Sequence, residues 1–275
     1  EGRRIAIASE LDRNVTIVDM STRTGLVISD DATGAGDPLN LPTDIVFDPA
    51  NNRALVIQVS PPSLLAVDTG SGNRSVISSD VIGGGPSFDR PLRLALDAAG
   101  NRVFVLDTGV PAVFAVDLAS GERTVVSDNT NAGTTLVEPG GIAFDGTNDR
   151  LLVTETGSGA TVENELLSVD LASGDRTTLS GFAVGTGPWL DDSRDVVLLT
   201  DGQALVHGSN VIYRVDPDTG DRVVVAQAAY GNGEFVQVSS FAHDAVDDII
   251  YAWSPGMEAL LAIDAVTGDR VVFAK

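Results

Sequence analysis

Residues 113–126 read VFAVDLASGERTVV, and the phrase returns at 64–77 (LLAVDTGSGNRSVI), 166–179 (LLSVDLASGDRTTL), 212–225 (IYRVDPDTGDRVVV) and 260–273 (LLAIDAVTGDRVVF). A looser copy, VTIVDMSTRTGLVI, occupies 15–28. Each copy is an apolar run ending in Val/Ile-Asp, a small-residue turn and a second apolar run. The marker aspartates Asp19, Asp68, Asp117, Asp170, Asp216 and Asp264 are 46 to 53 residues apart, the length of one propeller blade. A second phrase precedes the first in each unit: 44–56 (DIVFDPANNRALV), 93–105 (RLALDAAGNRVFV) and 141–153 (GIAFDGTNDRLLV), with degenerate copies at 189–198 and 241–251. Every unit thus holds four short β-type runs, a, b, c and d, separated by turn residues. No long segment carries a 3.6-residue apolar period. Four strands repeated six times predict an all-β, six-bladed β-propeller of four-stranded antiparallel blades in a single domain. The blades span about 1–30, 42–79, 91–127, 139–180, 187–226 and 238–275.

The opening residues Glu1-Gly2-Arg3-Arg4 resemble an a–b turn (compare Ala99-Gly100-Asn101-Arg102), so the first blade reads as lacking its innermost strand. A missing strand leaves an exposed edge, which proteins avoid; the expectation is that upstream sequence exists in the full gene product.

Composition narrows the function classes. The chain has 17 basic and 39 acidic residues, a net charge of −22, and its single lysine is Lys275. That field opposes nucleic-acid and anionic-membrane binding. No apolar run is long enough for a membrane helix. There is no cysteine, hence neither disulfide nor thiolate metal site. An Asp-rich, Lys-poor surface suits salty or extracellular surroundings; a GC-rich bacterial genome accounts for the same bias. The expected location is extracellular, periplasmic or at the cell surface.

The segments Pro139-Gly140-Gly141-Ile142-Ala143-Phe144-Asp145 and Asn101-Arg102-Val103-Phe104-Val105-Leu106-Asp107-Thr108-Gly109 resemble NHL-type propellers. The wider superfamily includes metal-dependent sugar lactonases of the gluconolactonase type, lyases, and members that only bind proteins. The resemblance implies metal ligands at the starts of the a strands. Those positions hold Thr43, Leu92, Gly140, about Pro188, and Ser239, which is not an oxygen-ligand set of that kind.

Strand alternation sorts the loops onto two faces. The a–b and c–d turns are regular, and their aspartates are expected to lock turns by accepting backbone N–H groups. The b–c and d–a connections are irregular and are where function is expected. Aligning the units places Ser9, Glu10, Gln58, Asp107, Glu155, Thr200, Asp201 and Trp253 at the ends of the b strands. Carboxylates there, Glu10, Asp107, Glu155 and Asp201, offer hard-cation ligands, calcium being the candidate, or an acid/base pair; the alternative is a lining of polar groups satisfied by backbone. The 156–165 and 202–210 segments read as long b–c loops. Trp189 and Tyr230 offer stacking surfaces for a sugar or another flat apolar group, and Arg93 a carboxylate partner. His207 is the better functional histidine and a weak catalytic candidate with Glu155 and Asp201; His243 aligns with the apolar positions Phe47, Leu96 and Phe144. No nucleophile elbow is present. The leading expectation is a binding propeller for a protein or carbohydrate partner. The alternatives are an extracellular metal-dependent hydrolase or lyase, and a structural module of a larger secreted protein.

Overall fold

The computed structural model describes residues 3–157, 164–234, 238–244 and 246–274. It contains six antiparallel sheets, each a meander in which consecutive strands are neighbours. The chain divides into two compact units, Glu1–Thr130 and Asn131–Lys275.

The first unit holds three sheets. Sheet 1 is β1 (Arg4–Ser9), β2 (Asn14–Asp19) and β3 (Thr24–Ser29). Sheet 2 is β4 (Pro42–Asp48), β5 (Arg53–Val59), β6 (Pro62–Asp68) and β7 (Arg74–Ser79). Sheet 3 is β8 (Pro91–Asp97), β9 (Arg102–Asp107), β10 (Ala112–Asp117) and β11 (Arg123–Asp128). The second unit holds the other three. Sheet 4 is β12 (Pro139–Asp145), β13 (Arg150–Glu155), β14 (Glu165–Asp170) and β15 (Arg176–Ser180). Sheet 5 is β16 (Asp195–Leu198), β17 (Ala204–His207), β18 (Val211–Val215) and β19 (Arg222–Gln227). Sheet 6 is β20 (Ser240–Asp244), β21 (Ile249–Ser254), β22 (Ala259–Asp264) and β23 (Arg270–Ala274). Sheets 2 to 6 have the expected strands a to d, and sheet 1 has b, c and d only.

The b and c strands read as almost unbroken apolar runs because both of their faces are covered. Within the first unit, Leu55, Ile57 and Leu64 of sheet 2 pack with Val103, Val105 and Phe114 of sheet 3. In the second, Leu152 and Leu166 of sheet 4 meet Val196 and Val206 of sheet 5, and Leu205 and Ile212 meet Phe241 and Leu261 of sheet 6. One apolar residue of each d–a connection is buried: Leu39, Phe88, Leu136, Leu190 and Val238. Strands c and d shift register at the start of each phrase, as at Val113/Phe114. Such a bulge sharpens twist where the outer strand bends away.

The turn aspartates behave as expected. Asp68 Oδ1 accepts the N–H groups of Gly70 (3.1 Å) and Ser71 (2.7 Å), and Asp117 does the same for Ala119 and Ser120 (3.0 and 2.7 Å). Asp19, Asp170, Asp216 and Asp264 repeat the arrangement. The hydroxyl and N–H donors of Ser21 and Thr22 hold the Asp19 carboxyl down to about 2. In the a–b turns Asp48, Asp97 and Asp145 each take the Nε–H of the arginine five residues on, at 2.8 to 2.9 Å.

In sheets 2 to 6 the arginine that opens the d strand holds the connection ahead of its own sheet. Arg123 is buried; its Nε donates to Pro86 O at 2.5 Å and its Nη1 to Ser78 Oγ and Ser79 O at 2.6 and 2.7 Å. Arg74 repeats this on Asp37 O, Ser29 Oγ and Asp30 O at 2.7, 2.6 and 2.8 Å. Arg222 uses Pro188 O, Ser180 Oγ and Gly181 O at 2.9, 2.8 and 3.1 Å. Arg176 reaches Thr134 O at 2.6 Å and Arg270 reaches Gly233 O at 2.7 Å. Each guanidinium therefore clasps the connection that leaves the preceding sheet. Its planar fork of five donors suits a cage of carbonyls, which a lysine ammonium does not match.

Candidate functional site

Three of the polar residues at the ends of the b strands, Gln58, Asp107 and Glu155, are buried and bonded to backbone. Asp107 accepts four N–H groups, from Asp89 (2.8 Å), Arg90 (3.0 Å), Gly109 (2.8 Å) and Val110 (3.2 Å). Gln58 Oε1 accepts Asn40 N–H at 2.9 Å, and its amide donates to Ser63 Oγ at 3.0 Å. Glu155 Oε1 accepts Glu138 N–H at 2.6 Å and Val137 N–H at 3.1 Å. All three pin the inner end of the d–a connection that precedes their own strand a, 17 or 18 residues upstream. The outer end of the same connection is held by the arginine clasp. These connections are therefore anchored at both ends.

Glu155 stands apart electrostatically. Burial pushes its carboxyl up to about 7 against the two N–H donors, and the neighbouring Glu138 and Glu165 carboxylates add to the rise. Ser9 caps the β1–β2 turn, bonded to Asp12. Glu10 is exposed in that turn, and Trp253 is half-buried in β21, paired with Ser240 and Leu260. Arg93 on β8 donates to Thr43 O (3.4 Å) and Leu92 O (3.2 Å). It is also the charge that opposes the burial-driven rise of the Asp44 carboxyl. Among the described residues, no three His, Asp or Glu side chains are grouped to hold a metal ion.

Sheet 5 departs from the sequence reading. Asp195–Leu198 is its strand a and Ala204–His207 its strand b. Thr200 and Asp201 thus lie in the a–b turn, not at the end of strand b. Asp201 accepts Gln203 N–H at 3.0 Å and pairs with Arg214. It sits at the opposite end of its sheet from the position Glu155 takes in sheet 4. The 202–210 segment is likewise not a loop but turn, strand b and a tight b–c turn. The position equivalent to Thr43 is Arg194 rather than Pro188. The Asp201-Gly202 pair, a turn dipeptide, was the available signal. His207 ends strand b and is fully buried, its ring 5.8 Å from that of Phe241. His243 faces its own a–b turn, Nε2 lying 2.7 Å from Asp248 Oδ1. The 156–165 segment falls partly outside the described residues.

Among the described residues, the most exposed aromatic surface lies in the connection between sheets 4 and 5. Trp189 is 73% exposed and Phe182 62%. Their rings meet edge to face, centroids 5.3 Å apart, a favoured geometry for an aromatic pair. Beneath them Arg222 holds Pro188 O and Gly181 O. The repeat supplies an internal reference. Gly83 and Gly185 sit alike on Gly121 O and Gly220 O, and Gly85 and Gly187 on Arg123 O and Arg222 O. In that register Phe182 and Trp189 correspond to Asp80 and Ser87 of the connection between sheets 2 and 3. The connection between sheets 2 and 3 therefore forms without aromatics at these positions. Phe182 escapes sequence reasoning until the loops are aligned in this way. Tyr230 is half exposed in the next connection, where its carbonyl accepts Arg270 Nη1.

Comparison with solved structures follows this geometry. A chain of a nidogen/laminin complex superposes with a TM-score of 0.74 at 14% identity, over 98% of this chain and 91% of that one. The fold is a six-bladed β-propeller. A Bacteroides thetaiotaomicron protein matches with a TM-score of 0.61 at 14% identity, over 94% of this chain and 69% of its own. No family model and no curated protein matches the chain, so the comparisons support the propeller fold and not the NHL-type or gluconolactonase-type family. With 802 solved chains resembling it, the propeller alone selects no activity.

Proposed function

We propose that this propeller is a secreted or cell-surface binding protein that engages a protein or carbohydrate partner through the Phe182–Trp189 surface, without catalysis of its own. The observation that carries the reading is the aromatic pair held in solvent at two positions where the connection between sheets 2 and 3 has Asp80 and Ser87. A rigid amphipathic ring presented at small entropic cost is the kind of residue that anchors interfaces. The acid-rich, Lys-poor composition supports an extracellular setting, and the nidogen/laminin chain offers a precedent for a protein of this fold crystallised in a complex. The anchored carboxylates support the non-catalytic part, since Asp107 and Glu155 spend their oxygens on loop N–H groups.

The test exchanges Phe182→Asp and Trp189→Ser together, importing the residues of the equivalent connection. Wild type and variant are screened against an oligosaccharide array and a panel of purified extracellular proteins. The expected outcome is at least one ligand bound by wild type and lost by a variant of unchanged melting temperature. Ligands retained equally by both proteins would sink the proposal.

A further inference from the structure

We propose that the partner surface received by Phe182 and Trp189 is a basic polypeptide segment, its arginine or lysine side chains lying on the indole face. This rests on the binding role given to the pair above and adds the chemistry of the occupant. The argument is charge complementarity. The connection that carries the two rings is flanked by carboxylates. Asp221 accepts Thr186 N–H and Oγ1–H at 2.7 and 2.8 Å, which places it against the middle of the connection and holds its carboxyl below the usual range. A Cβ on Gly181 would meet Glu165 Oε1 at 3.3 Å, so that carboxylate lies beside the residue preceding Phe182. Asp191 is exposed two residues after Trp189.

The nearby cations offset them only in part, the Arg222 charge acting on Asp221. Arg222 is buried under the connection with its donors on carbonyls, and Arg194 is paired with Asp192. An exposed indole on a connection flanked by carboxylates attracts a cation twice, through the ring quadrupole and through charge. A net charge of −22 adds long-range steering of a basic partner.

The experiment uses the whole chain with four probes: ten-residue peptides alternating glycine with arginine, lysine or glutamate, and the neutral oligosaccharide maltohexaose. Binding is followed by calorimetry and indole fluorescence. The arginine and lysine peptides are expected to bind and the glutamate peptide not to. Trp189→Ser should weaken the arginine peptide at least tenfold, and Asp191→Asn and Glu165→Gln a few-fold each, with melting temperatures unchanged. Equal binding by wild type and Trp189→Ser would show attraction to the diffuse acidic surface and overturn the inference. Failure of both basic peptides would also overturn it. If maltohexaose bound in a Trp189-dependent manner while the basic peptides did not, the occupant would be wrong and the binding role would stand.

Discussion

Glu155 and Gln58 hold corresponding positions and do the same work, each accepting N–H groups from the connection ahead of its sheet. They differ in what pH does to them. With its carboxyl at about 7 in the folded chain and 4.5 when unperturbed, Glu155 binds its proton more tightly folded than unfolded. The stability this contributes is complete below about pH 4.5 and is lost as pH rises through 7. Glu155→Gln, which copies Gln58, should therefore stabilise the chain by about 1–2 kcal/mol at pH 8 and change little at pH 4.5. Urea unfolding at the two pH values checks this; an equal effect at both would remove the buried charge as its cause. Of the residue-level reading, the turn aspartates were legible, because an Asp before a Ser/Thr-Gly turn has one obvious use. The b-strand carboxylates were placed at the right strand ends in sheets 3 and 4. Their partners lie 17 or 18 residues away in connections with no pattern of their own, so the sequence did not reveal them.

At the scale of elements, the d–a connections turned out to be fastened rather than free. Four of them contain a glycine seated on the c–d turn of the next sheet, Gly34, Gly83, Gly185 and Gly231, and in the connection ahead of sheet 4 Asn131 donates its Nδ2–H to Ser173 O of that turn at 2.9 Å. Gly83 has φ +76°, and a Cβ there would come within 2.0 Å of Gly121 O, whereas one on Gly84 would find nothing nearer than Glu122 Cγ at 4.0 Å. Gly83→Ala should cost more than about 2 kcal/mol, from left-handed strain and backbone clash together. Gly84→Ala should be near neutral, within about 0.5 kcal/mol. Thermal unfolding of the two variants, one residue apart, separates packing from mere glycine content; similar losses would contradict the seating. Gly83-Gly84-Gly85 reads from sequence only as a loop without a following helix, since what a glycine touches across sheets is not encoded locally. The fifth sheet was misread for a related reason. Its strands a and b have four residues each, too short for alternation to set the register, and the aspartate–arginine turn of sheets 2 to 4 is missing.

For the whole molecule, the repeat of 46 to 53 residues announced the fold; the surface chemistry is the less expected part. Five of the 17 basic residues, Arg74, Arg123, Arg176, Arg222 and Arg270, are buried in the clasps. Asp48, Asp97, Asp107, Asp145, Asp195 and Glu155 are buried as well, so the surplus of acid at the surface stays close to the net −22 of the whole chain. Repulsion among surface carboxylates is screened by salt, while the buried clasps are screened much less. The melting temperature should rise by several degrees between about 0.1 and 2 M salt, to the same extent in sodium and potassium chloride. Calorimetry in the two salts decides it, and a fall or a strong cation preference would point to something other than screening.

The clasps also give the chain a direction. Arg74 closes on Asp37, and Arg123 on Pro86, in each case 37 residues after the segment it secures. During synthesis each connection therefore emerges unfastened and is locked only when the following repeat arrives. A cut before any repeat would strip the fastening from the one ahead of it, while later repeats keep theirs. Damage should spread from such a cut toward the N-terminus, and the newest completed stretch should always be the most vulnerable to a protease.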